Sequence, residues 1–286
     1  METKVSSATK EVLITAAGPT VLIGERINPS GKKRLAAALK IGDFDAICRE
    51  AVAQVETGAN ILDINVACSG VDETAVLPKV VEKVMASVDV PICIDINNPA
   101  ALRETLKVYK GKPIVNSVTG EDSSLDEILP LVKEYGAAVI GLTIDDQGIP
   151  QDSDRRLAIA HKIVERAAQL KIPTEDVIID CLALSLGADS NAGWVTLEAI
   201  QKVRQELGVN QTLGASNISF GLPDRNLVNH TFLALAISAG VTCPTVDAAK
   251  VGAAILSVDL VLGRDRFAQR YMHDFRQRKS RKSEAN

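Results

Sequence analysis

Short runs of branched apolar residues alternate along this chain with longer segments whose apolar positions recur every three to four residues. The first kind of pattern predicts buried strands and the second predicts amphipathic helices. Strands are expected at 21–28, 60–66, 91–97, 113–117, 137–144, 176–180, 211–215 and 242–246. Helices are expected at 43–56, 72–87, 99–109, 123–135, 154–170, 196–207, 227–239 and 248–262. Asp43 stands where a helix N-cap belongs, Pro99 suits a first helical position, and Asp145 and Asp224 read as further caps. Residues 1–10 are polar and read as a frayed end. Strand–helix units repeated at about 30-residue intervals predict an α/β fold of one domain, a single (β/α)8 TIM barrel. A doubly wound open sheet shares this order of elements, because periodicity counts elements without showing closure. The barrel is assigned to 20–263, with an N-terminal extension at 1–19 and a basic C-terminal helix or tail at 264–286.

Composition narrows the picture without adding a second domain. The 286 residues are 46% hydrophobic, enough for one large core. A net charge of −4 and only 3% aromatic residues argue against a nucleic-acid partner. No apolar run has the length of a membrane span, and Glu11 ahead of the short apolar run 12–17 argues against a signal peptide. Cys48, Cys68, Cys93, Cys181 and Cys243 are odd in number and form no C-x-x-C pair. They read as reduced thiols of a cytoplasmic protein, with Cys68 and Cys181 inert near strand ends. The tail carries Arg276, Arg278, Lys279, Arg281 and Lys282 among its charges. A solvated terminal helix is the plain reading, and docking to an acidic partner is the functional one.

In a barrel the C-terminal strand ends line one mouth and carry the site. This chain places Glu25, Asn28, Asp63, Asn65, Asp95 and Asn116 there, followed by Asp145, Asp180, Asn217 and Asp247. That set is rich in carboxylates and amides and almost empty of Lys and Arg, so it is expected to repel phosphates. It suits a ligand that presents many N–H donors. Asp145, Asp146 and Asp180 offer oxygens of the kind Mg²⁺ takes, whereas His161, His230 and His273 fall on helices away from any cysteine and give no zinc pattern. No metal site is assigned. Asn217 lies between Gly214 and Gly221, where glycine permits a tight loop and a close approach. A loop asparagine that bonds its own backbone fits that stretch as well.

Six segments in order carry a resemblance: Gly24-Glu25-Arg26-Ile27-Asn28, Leu62-Asp63-Ile64-Asn65-Val66, Ile94-Asp95, Val115-Asn116-Ser117, Ile179-Asp180 and Ser216-Asn217-Ile218-Ser219-Phe220-Gly221. With these the chain resembles the pterin-binding, corrinoid-dependent methyltransferases, including methyltetrahydrofolate:corrinoid protein methyltransferases and the folate domain of cobalamin-dependent methionine synthase. The resemblance spans 21–262 and implies a dihydropteroate-synthase-like barrel with a reduced folate in its mouth. It implies that Asp95, Asn116 and Asp180 hold the pterin, that Asp63, Asn65 and Asn28 line the same pocket, and that Asn217 is the catalytic amide facing N5.

The resemblance further implies tetrahydrofolate or 5-methyltetrahydrofolate as substrate, a corrinoid supplied on a partner protein, and a homodimer. No Asp-x-His-x-x-Gly cobalamin motif occurs in the chain. The expected activity is methyl transfer between that corrinoid and N5, in the demethylation of compounds such as glycine betaine or methoxyarenes. Two alternatives remain at this point. A non-catalytic folate-binding protein would keep the pterin contacts without needing Asn217. A dihydropteroate synthase would carry Ser-Arg-Lys where this chain has Ser216-Asn217-Ile218, which speaks against it.

Overall fold

The computed structural model describes residues 1–284, with side chains through Ser280. A hairpin of β1 (Glu2–Ser6) and β2 (Glu11–Thr15) comes first, paired antiparallel. The first half of the barrel follows as β3 (Ile23–Ile27), α1 (Lys33–Ile41), α2 (Phe44–Glu56), β4 (Ile61–Ile64), α3 (Glu73–Ser87), β5 (Ile92–Asp95) and α4 (Pro99–Val108). Its middle is β6 (Ile114–Val118), α5 (Asp122–Tyr135), β7 (Ala138–Leu142), α6 (Ser153–Gln169), β8 (Val177–Asp180) and α7 (Ala192–Glu206). The last part is β9 (Asn210–Thr212), α8 (Arg225–Ala239), β10 (Thr245–Val246), α9 (Ala248–Val261) and α10 (Gln269–Glu284).

β10, β3, β4, β5, β6, β7, β8 and β9 pair in that order, all in parallel. A parallel bridge from Gly214 to Thr245, with Thr245 N donating to the Leu213 carbonyl at 3.0 Å, joins the two ends of the sheet. The open-sheet alternative is thereby excluded. Strand alternation then divides the core in two. Ile23, Ile61, Ile114, Ile140 and Ile178 point inward and pack together. Leu62, Ile94, Val115, Val139 and Ile179 point outward against the helices. The next inward position after Ile61 is Asp63, and the one after Ile178 is Asp180. Apolar filling thus gives way to polar groups as each strand reaches its C-terminal end.

Three expectations need correction. The first ten residues are not frayed. Val5 and Ile14 of the hairpin are buried against the inward isoleucines, and Asn210 Nδ2 donates to the Ile14 carbonyl at 2.9 Å. The hairpin closes the N-terminal end of the barrel, and its alternation is too brief on each strand to stand out in sequence. Helix α1 also went unexpected, because only Ala38 and Leu39 of its nine residues are buried. Two of the three proposed caps fail. Asp43 accepts from Ala46 N at 3.3 Å as expected. Asp224 holds an N-cap position with φ of 44° but makes no side-chain cap bond, and Asp145 accepts from Gln147 N and pairs with Arg155 instead.

The basic tail is helical in α10, which is pinned at its start by Arg270 bonding the buried Asp259 at 2.9 Å. The side chains of Arg281 and Lys282 lie outside the described residues. Among the described residues, no helix is long and apolar enough to cross a membrane.

Candidate active site

Asp63, Asp95, Asn116 and Asp180 come together at the C-terminal mouth because each occupies an inward strand position. Asp95 and Asn116 are direct partners in the β5–β6 register. Asn116 Nδ2 donates to Asp63 Oδ1 at 3.1 Å, and Asn65 Nδ2 donates to Asp95 Oδ2 at 3.0 Å. Asn65 is itself oriented by accepting from Ala67 N at 2.8 Å. On the far side, Asp180 Oδ1 accepts from Leu182 N at 2.7 Å, and the Gly214 backbone bonds the same carboxylate. Gly214 caps a short 3₁₀ helix, Ala215–Ser219, that carries Asn217. The side chain of Asn217 is exposed, and no hydrogen bond occupies it among the described residues. Asn28 stands apart from this cluster, its Oδ1 accepting from Ser30 N at 2.9 Å in the local turn.

Burial dominates the electrostatics of this half of the mouth. Asp63 is 4% and Asp180 8% exposed, and among the described residues neither they nor Asp95 form an ion pair with Lys or Arg. Burial first, and then the Asp95 charge, pushes the Asp63 carboxyl well above the ordinary carboxylate range. Burial likewise raises Asp95 against the opposing hydrogen bond from Asn65. Asp180 is pushed up to about 6, with the Leu182 and Gly214 backbone bonds holding it from going further. Carboxyl groups buried without a cation lack compensation for their ionised form. A ligand that brings N–H donors to them supplies it.

The expectation of a mouth almost free of cations does not hold on the side of β3 and β10. Arg26 donates through NH1 to Asp247 Oδ2 at 3.1 Å and also pairs with Glu50. Lys32 turns back from the β3–α1 loop to donate to the Arg26 carbonyl at 2.8 Å. Lys250, on the first turn of α9, lies 3.3 Å from Asp247. Burial is the main cause that raises Glu25, and the charges of Lys32, Asp247, Lys250 and Arg225 all act on it. Lys32 and Lys250 were missed because they lie a few positions beyond the ends of β3 and β10 and fold back over them, whereas Arg26 lies within β3 itself. The Lys32-Lys33-Arg34 run was the available signal.

Arg156 is a second omission. It is fully buried on α6 and donates to the carbonyls of Pro150, Cys181 and Leu182 and to Thr196 Oγ1 at 2.8–3.0 Å. It fixes the turn whose Leu182 N–H holds Asp180. The Mg²⁺ option loses its ligands: Asp145 pairs with Arg155 at 2.9 Å, and no group of three or more His, Cys, Asp or Glu is placed to hold a metal among the described residues. Cys181 is buried, with burial pushing its thiol up, while Cys68 is partly exposed.

Comparison with known proteins places this geometry. A family model described as pterin binding enzyme matches residues 24–247. A methylcorrinoid:tetrahydrofolate methyltransferase of Eubacterium limosum is 30% identical over 269 residues, covering 91% of this chain and 97% of that protein. Methionine synthase of Mycobacterium tuberculosis is 30% identical over 263 residues, covering 87% of this chain and 22% of its own length. In fold, the chain is similar to dihydropteroate synthase from Stenotrophomonas maltophilia, with TM-score 0.71, 18% identity and coverage of 91% and 98%. The Yersinia pestis dihydropteroate synthase gives TM-score 0.69 at 15% identity, covering 91% of this chain and 98% of that one. The chain belongs to the pterin-binding enzyme family and, within it, to the corrinoid-dependent methyltransferases.

Proposed function

We propose that this enzyme transfers a methyl group from a corrinoid carried on a separate protein to N5 of tetrahydrofolate, with methyl groups that originate in compounds such as glycine betaine or methoxyarenes. The observation that carries the reading is a set of buried carboxyl groups, Asp63, Asp95 and Asp180, that form no ion pair among the described residues, beside an unoccupied amide at Asn217. The likeness to the Eubacterium limosum protein supports the corrinoid-to-folate direction. A reduced pterin presents an amino group and ring N–H donors along one edge. Asp95 and Asp180 accept from that edge, and Asn116, held by Asp63, offers its free amide oxygen.

The corrinoid supplies a cobalt-bound methyl group that leaves as a methyl cation equivalent, so the bonding pair stays on cobalt. The N5 lone pair forms the new C–N bond, and the N5 proton is lost to solvent. Asn217 Oδ1 accepts a hydrogen bond from N5–H and stabilises the positive charge that develops there. It carries no charge of its own and cannot take the proton. Positioning of this kind contributes up to about 7–11 kcal/mol to lowering a barrier.

The test mixes the protein with methylcobalamin and tetrahydrofolate under anaerobic conditions and follows the visible spectrum. Protein-dependent loss of the methylcobalamin bands, with methyltetrahydrofolate formed, is the expected result. A protein that binds tetrahydrofolate but transfers methyl neither from free methylcobalamin nor from methylated corrinoid proteins of its own source is a binder, and the reading fails.

A further inference from the structure

Carboxyl groups reach the mouth from β3, β4, β5, β8 and the end of β10, and all but one have a donor that holds them. Asn116 donates to Asp63, Asn65 donates to Asp95, and the Leu182 and Gly214 backbone bonds Asp180. Asp247 is paired with Arg26 at 3.1 Å and with Lys250 at 3.3 Å. Glu25 is the remaining one. Among the described residues no hydrogen bond or ion pair holds its carboxyl, and only burial and surrounding charges act on it.

The strand sets where Glu25 points. It follows the inward Ile23 by two positions on β3, as Asp63 follows Ile61 and Asp180 follows Ile178. It stands between the two halves of the mouth. Its charge acts on Asp63 on one side. On the other side it faces Lys32 of the β3–α1 loop, Asp247 after β10, Lys250 of α9 and Arg225 of α8. Glu25 also lines a cavity of about 290 Å³ whose wall includes Ala215 and Ser216, the two residues that precede Asn217 on its 3₁₀ helix. A polar cavity of that size has room for water.

Methyl transfer to N5 releases a proton beside Asn217, an amide that has no capacity to take it. Asp247 is poorly suited, because two cations stabilise its charge. Burial raises Glu25 above the ordinary 4.5, against the lowering charges of Lys32, Lys250 and Arg225. A carboxylate raised in this way is a better base than an exposed one, and its acid form is a usable donor near neutral pH.

We propose that Glu25 is the proton acceptor of the reaction. As the N5 lone pair forms the new C–N bond, the N5 proton passes through water in the cavity to a Glu25 carboxylate oxygen, and from there to solvent. The carboxylate becomes a neutral acid, the bonding pair of the broken bond stays on cobalt, and no further reactant is needed. In the opposite direction, protonated Glu25 returns the proton to N5 as the methyl group leaves. The assignment rests on the proposed folate activity.

Single-turnover kinetics at saturating tetrahydrofolate, with a methylated corrinoid as donor, tests it from about pH 5 to about pH 9. In the wild type the rate should rise with pH as Glu25 ionises and then level off. Glu25→Gln should slow transfer by about 10²-fold and lose that acidic limb, the low end of what general base catalysis contributes. Calorimetry on the same variant should return the wild-type affinity for tetrahydrofolate. Glu25→Asp keeps a carboxylate on a shorter arm and should recover part of both the rate and the limb. A purely structural role would change the rate without removing the limb. An acidic limb that persists unchanged in Glu25→Gln belongs to protonation of N5 itself and overturns the assignment. Wild-type turnover in that variant overturns it too, as does loss of folate binding, which would make Glu25 a ligand contact. A wild type that binds tetrahydrofolate but transfers no methyl would instead remove the methyltransferase reading, and the role of Glu25 with it.

Discussion

At the scale of single residues, the site depends on inward strand positions that carry polar groups where apolar ones would pack. Asn217 is the exception, carried on the 3₁₀ helix after β9, with its side chain exposed and no hydrogen bond inside the protein using it among the described residues. Asn217→Ala should lower turnover by about 10²-fold, the scale of removing one positioned hydrogen-bond partner of developing charge. Tetrahydrofolate affinity should fall far less. Single-turnover kinetics with saturating folate separates the two, and unchanged turnover of bound folate would remove Asn217 from the chemistry. Asp63, Asp95, Asn116 and Asp180 were legible in sequence because period-two alternation fixes which face each takes. Asn28 was legible as a strand-end amide, but its turn bond to Ser30 depends on local geometry that a pattern does not carry. Lys32 and Lys250 escaped for a related reason, since they reach the mouth by folding back from positions after the strand end.

At the scale of elements, long strands and helices were readable and short or tertiary-dependent ones were not. Helix α7 begins at Ala192, ahead of the expected 196, because Gly193 reads as loop while its first turn buries Ala192. The hairpin of β1 and β2 draws its stability from the barrel end it covers. Ile14→Ala should therefore cost about 2–5 kcal/mol, the range for emptying a packed site. Urea denaturation measures this, and a loss below about 1 kcal/mol would mean the hairpin is not part of the cooperative unit. Arg156 ties α6 to the turn after β8. Arg156→Met keeps much of the side-chain volume but strips the donors from three carbonyls and Thr196, so it should destabilise by about 3 kcal/mol or more. Because that turn holds Asp180, folate affinity should weaken even where the variant remains folded. Calorimetry on the folded variant that returned the wild-type affinity would confine Arg156 to stability.

For the whole molecule, the mouth carries charges that oppose its own fold. Asp63, Asp95, Glu25 and Asp180 all titrate higher than ordinary carboxyls because burial disfavours their ionised forms. Asp180 moves from the ordinary 3.8 to about 6 on folding, so the native state binds its proton more tightly than the unfolded chain does. Its contribution to stability is fully present below pH 3.8 and is lost as pH rises through about 6. At neutral pH the ionised, unliganded carboxylate costs at most about 3 kcal/mol. Asp180→Asn keeps an oxygen to accept from Leu182 N–H but removes the buried charge. The variant should therefore gain stability relative to wild type as pH rises from about 4 to about 7, while losing affinity for a pterin that needs a full carboxylate. Urea denaturation of both proteins at the two pH values, paired with folate titration, measures both sides of that exchange. If the stability difference between variant and wild type were the same at both pH values, Asp180 would already be compensated in the free protein. A carboxylate compensated in that way would have no electrostatic cause to recruit an N–H donor from a ligand.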